Sequence, residues 1–309
     1  MFRLAHLSDI HLGPLPDVTY RELASKRVTG YINWQRNRRR YMHDNVLEAI
    51  CADLKASDPD HVAITGDLTN LALDREIEMT RLWLEAFGPP EDVSVVPGNH
   101  DAYVPGAFDK ACRAWGPFMT GDGAHPPADG RAFPYMRVRG PVALIGVSSA
   151  RATAPFMANG FFRAGQAKRL AKVLDEAAKH SLFRVVMIHH PPVRAAIANH
   201  KRLFGISLFQ KTLREHGAEL VLHGHTHEVT VNWFAGAGHA IPVVGVAAAG
   251  QNPGTRKPAA QYNLLDVSGK PGAWNLQLTR RGLTGPTSGV CPLSSETLLG
   301  QSEPAAVRA

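Results

Sequence analysis

Phe2-Arg3-Leu4-Ala5-His6-Leu7-Ser8-Asp9-Ile10-His11 opens the chain: an apolar run that ends, after one serine, in a carboxylate and an imidazole two residues apart. The first six residues are compatible with a buried strand, and the residues that follow are metal-binding types. The same sentence is written four more times. The runs His61–Thr65, Asp92–Val96, Arg184–Ile188 and Glu219–Leu222 lead into Gly66-Asp67, Gly98-Asn99-His100-Asp101, His189-His190 and Gly224-His225-Thr226-His227. Each run is short and rich in Val, Ile and Leu, so five strand ends are expected to meet along one edge. In extended chain, the i, i+2 spacing of Asp9 with His11 and of His225 with His227 turns both side chains of a pair to one side.

The donors narrow the chemistry. Carboxylates (Asp9, Asp67), imidazoles (His11, His189, His225, His227) and one amide oxygen (Asn99) form a mixed nitrogen and oxygen set without cysteine. Such a set suits Mn, Fe, Co, Ni or Zn, whereas a structural zinc site more often uses thiolates. Seven ligands exceed the needs of one ion, so two ions sharing a carboxylate are expected, with Asp67 as the bridge. Two ions about 3.5–4 Å apart can hold a phosphate while the hydroxide between them attacks in line. His100 is then placed to protonate the leaving oxygen or to stabilise its charge, with Asp101 expected to orient that imidazole.

Asp9-x-His11, Gly66-Asp67, Gly98-Asn99-His100-Asp101, His189-x-Pro191 and Gly224-His225-x-His227 resemble, in order, the five blocks of the calcineurin-like metallophosphoesterases. The resemblance implies a four-layer αββα sandwich, an α/β fold with two mixed β-sheets. It also implies that Asp9, His11, Asp67 and His227 hold one metal, that Asp67, Asn99, His189 and His225 hold the other, and that His100 is the catalytic histidine. Leu68-Thr69-Asn70 after the second block and Asp101 closing the third look more like the bacterial phosphodiesterase branch than the phosphoprotein phosphatases. Relatives there act on cyclic nucleotides, glycerophosphodiesters or nucleotide-linked lipids. Lys26 to Trp34 is similar to a segment of the enzymes that cleave the pyrophosphate of UDP-2,3-diacylglucosamine.

The expected activity is therefore metal-dependent hydrolysis of a phosphodiester or pyrophosphate bond, with Mn, Fe or Zn as the ions. The alternatives are a DNA or RNA nuclease, or a lipid- or nucleic-acid-binding module with a vestigial metal site. His190 is expected beside the substrate, because the His-x-Pro register selects His189 as ligand. The net charge of +7 gathers after the first block, where Arg21, Lys26, Arg27, Arg36, Arg38, Arg39 and Arg40 alternate with Tyr20, Tyr31, Trp34 and Tyr41. A solvated helix face, a lipid-facing cap and a nucleic-acid surface all fit that composition. Its position after Asp9-x-His11 favours a cap over residues 15–42, in which Arg38, Arg39 and Arg40 meet substrate and anionic lipid is a peripheral partner.

The 309 residues, 44% of them hydrophobic, can bury one large core, expected over 1–283. No run approaches the roughly 18–20 apolar residues that span a bilayer, and no signal-peptide pattern precedes the first strand, so a cytoplasmic protein is expected. Cys51, Cys112 and Cys291 form an odd set without metal-like spacing and are expected as reduced thiols. Helices are predicted over Arg40–Lys55 and Arg163–Lys179, with apolar residues at helical spacing, and over Asp74–Phe87, which Gly88-Pro89-Pro90 stops. A run of hairpin strands follows from Glu228 to Thr279. Residues 284–309, poor in apolar side chains, are expected to be a mobile tail.

Overall fold

The computed structural model describes residues 1–39, 44–126 and 132–300. Its strands are, in chain order, β1 (Phe2–Leu7), β2 (His61–Ile64), β3 (Val93–Val95), β4 (Tyr135–Arg139), β5 (Val142–Gly146), β6 (Gly160–Phe161), β7 (Phe183–Met187), β8 (Leu203–Phe204), β9 (Leu220–His223), β10 (Thr230–Ala235), β11 (Ala240–Gly245), β12 (Gln261–Lys270), β13 (Ala273–Gly282) and β14 (Cys291–Leu299). The helices are α1 (Tyr20–Leu23), α2 (Arg27–Asn33), α3 (Asp44–Ala56), α4 (Asp74–Phe87), α5 (Ala107–Ala114), α6 (Ala164–Lys179) and α7 (Ile206–His216).

Two six-stranded mixed sheets form, ordered β14-β13-β12-β1-β2-β3 and β10-β11-β9-β7-β5-β4. The alternation of side chains along the second sheet shows why it lies between two layers. On β7, Phe183, Val185 and Met187 enter the main core shared with β1 and β2, whereas Val186 enters a second core with Leu170 and Leu174 of α6 and Phe209 and Leu213 of α7. β9 repeats the division, with Leu220 and Leu222 on one side and Val221 on the other. Leu47, Ile50 and Leu54 of α3 and Ile77 and Leu84 of α4 join the main core at the first sheet. This is the expected α/β sandwich with two mixed sheets.

β1, β2 and β3 run parallel, as do β7 and β9. All five loops that follow these strands therefore leave at strand C-terminal ends, the usual place for ligands in open α/β sheets. α4 begins at Asp74 and stops before Gly88, as predicted.

The tail expected over 284–309 requires correction. Residues 291–299 form β14, paired antiparallel with β13 at the edge of the first sheet. Its side chains are mostly exposed, so a strand that needs only backbone bonds on one side carries little apolar signal. Residues 301–309 lie outside the described residues. None of the three cysteines forms a disulfide among the described residues, and Cys112 lies in the main core. Among the described residues no helix is long and apolar enough to cross a membrane.

Two buried imidazoles tie the first sheet to pH. His6 Nδ1 accepts from the Asn263 amide at 3.2 Å, leaving Nε2–H to donate to Thr65 Oγ1 at 2.9 Å. His61 Nε2 lies 2.8 Å from Ser94 Oγ. Burial lowers both rings from their ordinary value of 6.5 to about 3. A base whose folded value is depressed takes up protons on unfolding, so stability is lost as pH falls from about 6.5 toward 3, by up to about 1.4 kcal/mol per ring and pH unit. The thermal midpoint of metal-free protein is expected to drop between pH 7 and 5, and to drop less in His61→Asn. An equal drop in both proteins, followed by circular dichroism, would exclude His61 as a contributor.

Candidate metal centre

Backbone bonds sew the first loop to the second and the fourth to the fifth. Asp9 N–H donates to Gly66 O and His11 N–H to Asp67 O, both at 2.9 Å, and Gly224 N–H donates to His189 O at 3.1 Å. Glycine is required where they touch: a Cβ on Gly98 would strike the Asp67 carboxylate and backbone, and one on Gly224 would strike Ser8 Oγ and Asp9 Oδ2.

The ligands themselves are not in extended chain, which corrects the i, i+2 geometry expected of them. Asp9, His11, Asp67, His225 and His227 all take positive φ, between 46° and 67°. Asp and His tolerate this left-handed region better than most residues, yet it is sparsely populated, and five occurrences at one point mark a place where function overrides local preference. The strands deliver these residues to the edge, and tight loops turn them inward.

Three groups of side chains each bring one ligand atom per residue within 4.8 Å of the others: Asp9, His11 and His227; Asp67, His189 and His225; and His11, Asp67 and His100. Asp67 stands between them, with Oδ2 at 3.4 Å from His189 Nε2 and 3.9 Å from His11 Nε2. Asn99 Oδ1 lies 3.2 Å from His189 Nε2. All seven residues expected as ligands are thus brought together.

Their hydrogen bonds fit metal ions. His11 Nδ1 is 2.9 Å from Thr69 O, His189 Nδ1 is 2.6 Å from Thr65 O, and His225 Nε2 is 2.9 Å from Lys201 O. With one ring N–H given to a carbonyl, the other nitrogen of each can serve a metal once it is deprotonated, the arrangement of metal-ligating histidines. His11 Nε2 is left buried without a hydrogen-bond partner, and Asp9 Oδ1 is buried with His227 Nε2 3.1 Å away, an arrangement that a cation between them would complete. Electrostatics agree: burial opposes charge on His189, but Asp67 and Asp9 hold its imidazole up at about 9, so the site calls for a positive charge there. Burial would raise Asp67, yet His189, His100 and His11 keep it well below the usual carboxylate range.

His100 is held on every side. Arg38 Nη2 is 2.8 Å from its Nε2 and the Asn70 carbonyl 2.6 Å from its Nδ1. A guanidinium can only donate, so Nε2 accepts and Nδ1–H donates, which fixes a neutral tautomer. Burial and the Arg38 charge agree, lowering this ring to about 3. Its plane stacks on Tyr103 at 5.3 Å and meets His11 edge-on at 4.9 Å.

Asp101 does not orient His100. Its carboxylate accepts from the backbone N–H groups of Asp67, Leu68, Thr69 and Gly98 and from Thr69 Oγ1, all within 3.1 Å. It therefore splints the Asp67 loop to its own. Burial, with Asp67 nearby, raises that carboxyl to about 7. The orienting acceptor is instead the Asn70 carbonyl, a backbone atom that no side-chain motif reveals.

His190 is likewise corrected. Fully buried, it bonds Ser149 Oγ at 2.7 Å through Nδ1 and Ala158 O at 3.0 Å through Nε2, and packs behind His225 rather than facing substrate. His6 and His223, in the strands that lead to the first and last loops, are buried.

A cavity of about 680 Å³ opens above the ligands. Lys26, Arg36, Arg38, Lys201 and Lys257 line it, and Asp67 is its lone carboxylate among the described residues. Ile32, Phe156 and Met157 lie at its rim, 45%, 81% and 37% exposed. Of the three arginines expected at substrate, Arg38 reaches the site. Arg39 is exposed and bonds Gln35 Oε1 at 3.1 Å, away from the cavity, and Arg40 lies outside the described residues. Lys201 and Lys257 come from loops whose sequence holds no motif, so nothing in their spacing marks them.

Comparison with known proteins agrees with this geometry. Residues 2–229 match the family model for calcineurin-like phosphoesterases, and the chain belongs to that family. A dimetal phosphatase from Danio rerio is 12% identical, with a TM-score of 0.56 over 97% of this chain and 99% of that one. The purple acid phosphatase PPD1 from yellow lupin (Lupinus luteus) seeds is 13% identical, with a TM-score of 0.58 over 96% of this chain and 53% of that one. At such identities the likeness is one of fold. No curated protein sequence matches the chain significantly.

Proposed function

We propose that the protein is a two-metal phosphoesterase that hydrolyses a phosphodiester or pyrophosphate bond, in a substrate carrying anionic and apolar parts. The observation that carries this reading is the convergence of seven nitrogen and oxygen donors around Asp67, beside a neutral His100, at the floor of a cationic cavity. Asp9, His11, Asp67 and His227 would hold one ion and Asp67, Asn99, His189 and His225 the other. Mn, Fe or Zn suits these donors, and two such ions would supply Lewis acidity to the phosphoryl oxygens and acidify a water.

The chain's own residues do the rest. Lys26, Arg38 and Lys201 draw an anion into the cavity and compensate charge that builds on it, while Lys257 at its wall is paired with Glu228 at 2.6 Å. Arg38 occupies His100 Nε2 until an anionic oxygen competes for the guanidinium; once released, Nε2 can hold a proton for the leaving oxygen while Asn70 O keeps the ring in place. Asp101 holds the loop that presents Asp67. The exposed Ile32, Phe156 and Met157 at the rim favour a nucleotide-linked lipid, such as UDP-2,3-diacylglucosamine, over a cyclic nucleotide or a glycerophosphodiester. Beside basic residues, the same rim suits peripheral contact with anionic lipid at the cytoplasmic face.

The test is hydrolysis by purified protein loaded in turn with Mn, Fe and Zn, against bis-p-nitrophenyl phosphate, the three substrate classes, and single-stranded DNA and RNA. Metal-dependent turnover of a diester or pyrophosphate, highest for the amphiphile, is expected. Binding to anionic vesicles without turnover under any ion would favour a binding module, and preferential cleavage of DNA or RNA a nuclease.

A further inference from the structure

The turn from Asn70 to Leu73 is gripped from two directions. Glu76, 3% exposed in the first turn of α4, accepts the backbone N–H groups of Asn70 at 2.7 Å and of Leu71 and Leu73 at 3.0 Å. A glutamate capping a helix needs only the bond to Leu73; the reach to Asn70 and Leu71 goes beyond capping. The carbonyls of the same turn face the other way. Asn70 O receives His100 Nδ1–H, while Leu71 O and Ala72 O receive the Arg27 guanidinium at 2.9 and 2.5 Å. Ala72, at φ 51°, pays for this arrangement in backbone strain.

Arg27 begins α2, and that helix touches His100 by a second route. A Cβ on Gly30 would collide with the Tyr103 hydroxyl and Leu71, the Lys26 ammonium sits 4.7 Å from the centre of the Tyr103 ring, and Tyr103 stacks on His100. No ligand of the metal centre lies on either path.

We propose that Glu76 and Arg27 are positioning residues for His100. They clamp the turn whose Asn70 carbonyl fixes the imidazole's tautomer and direction, so that the seating of α2 over the cavity and the setting of His100 form one mechanical unit. The inference rests on the role given to His100 above, and it deepens that role: a cap helix displaced by a poorly fitting substrate loosens the group that serves the leaving oxygen.

The experiment uses Arg27→Gln and Glu76→Gln in the full chain, with two readouts. In metal-free protein labelled with ¹⁵N-histidine, the ring nitrogens of His100, identified by their loss in His100→Ala, are expected at the shifts of a single Nδ1–H tautomer; in both variants the Nδ1 shift, which reports the bond to the Asn70 carbonyl, is expected to move while Arg38 keeps Nε2 the acceptor. In metal-loaded protein, kcat for a phosphodiester with an alkyl leaving group is expected to fall about 10-fold or more. That for bis-p-nitrophenyl phosphate, whose leaving group needs no proton, is expected within about 2-fold, with KM and metal content unchanged. Unmoved ring nitrogens in a folded variant, or equal losses with both leaving groups, would overturn the proposal. Arg27 is half-buried, so Arg27→Gln carries the test if Glu76→Gln fails to fold. The nitrogen shifts need no turnover: a protein that showed them but hydrolysed nothing would refute the proposed function and leave the positioning intact.

Discussion

Asp67→Ala is expected to abolish two-metal loading and to reduce hydrolysis of bis-p-nitrophenyl phosphate by more than about 10²-fold, since losing even a partner of a ligand typically costs 10- to 100-fold. Asp67 gathers with His189 and His225 on one side and with His11 and the non-ligand His100 on the other, and its Oδ2 lies between His189 and His11. Without it, each proposed ion loses a ligand at once, and the imidazoles of His11, His100, His189, His190 and His225 lose a charge that offsets their burial. Asp9→Ala should behave differently. Asp9 belongs to one group only, so one ion should be lost and the other retained. The loop carrying Asp67 should survive, because its backbone N–H groups are held by Asp101 and not by the Asp67 side chain. The measurement is metal content by plasma mass spectrometry beside initial rates, with circular dichroism to establish folding. Retained turnover with two ions per chain in Asp67→Ala would sink the dinuclear reading.

That the donors could be read from sequence follows from how such a centre is built. A strand end is a local feature, visible as a short apolar run that stops, and Asp, His and Asn are chosen there for their atoms rather than for their packing. Five such endings in parallel strands leave little freedom over where the donors gather. What escaped the reading is what depends on the third dimension. The left-handed φ of Asp9, His11, Asp67, His225 and His227 is imposed by loop closure, and periodicity arguments applied to Asp-x-His as if it continued the strand miss it. His100 and Asp101 are neighbours in sequence, which suggests a pair, but successive residues diverge: the imidazole turns to Asn70 O and the carboxylate turns back to four N–H groups. Arg38 and Arg39 differ in the same way, one reaching a histidine 62 residues away and the other bonding Gln35 four residues back. Position after Asp9-x-His11 predicts a segment at the site, and Lys26, Arg36 and Arg38 line the cavity, but which side chains face it depends on the winding of Trp34–Arg38, which is π-helical and not readable from composition. β14 was hidden for another reason: an exposed edge strand is held by backbone bonds, which leave no mark on composition.

His100→Ala provides the second large effect, and it separates binding from chemistry. His100 is outside the seven ligands; its backbone N–H, which donates to Asp67 Oδ1 at 2.7 Å, is kept by alanine. Both ions should therefore remain bound while the rate on a phosphodiester with an alkyl leaving group falls by about 10²–10⁴-fold, the range for losing a positioned proton donor. The loss should shrink for p-nitrophenolate, which departs without a proton. Arg38→Ala supplies the converse. Removing the guanidinium frees His100 Nε2 at once but deletes a cation from the cavity, so KM for the anionic substrate should rise while the dependence on leaving group stays that of the parent enzyme. If instead Arg38→Ala and His100→Ala lose rate equally, with both leaving groups and with no change in KM, then the contact between them serves only to hold the ring, and the proton must reach the leaving oxygen from another group lining the cavity. An unchanged rate for every substrate in His100→Ala would remove the histidine from the reaction altogether.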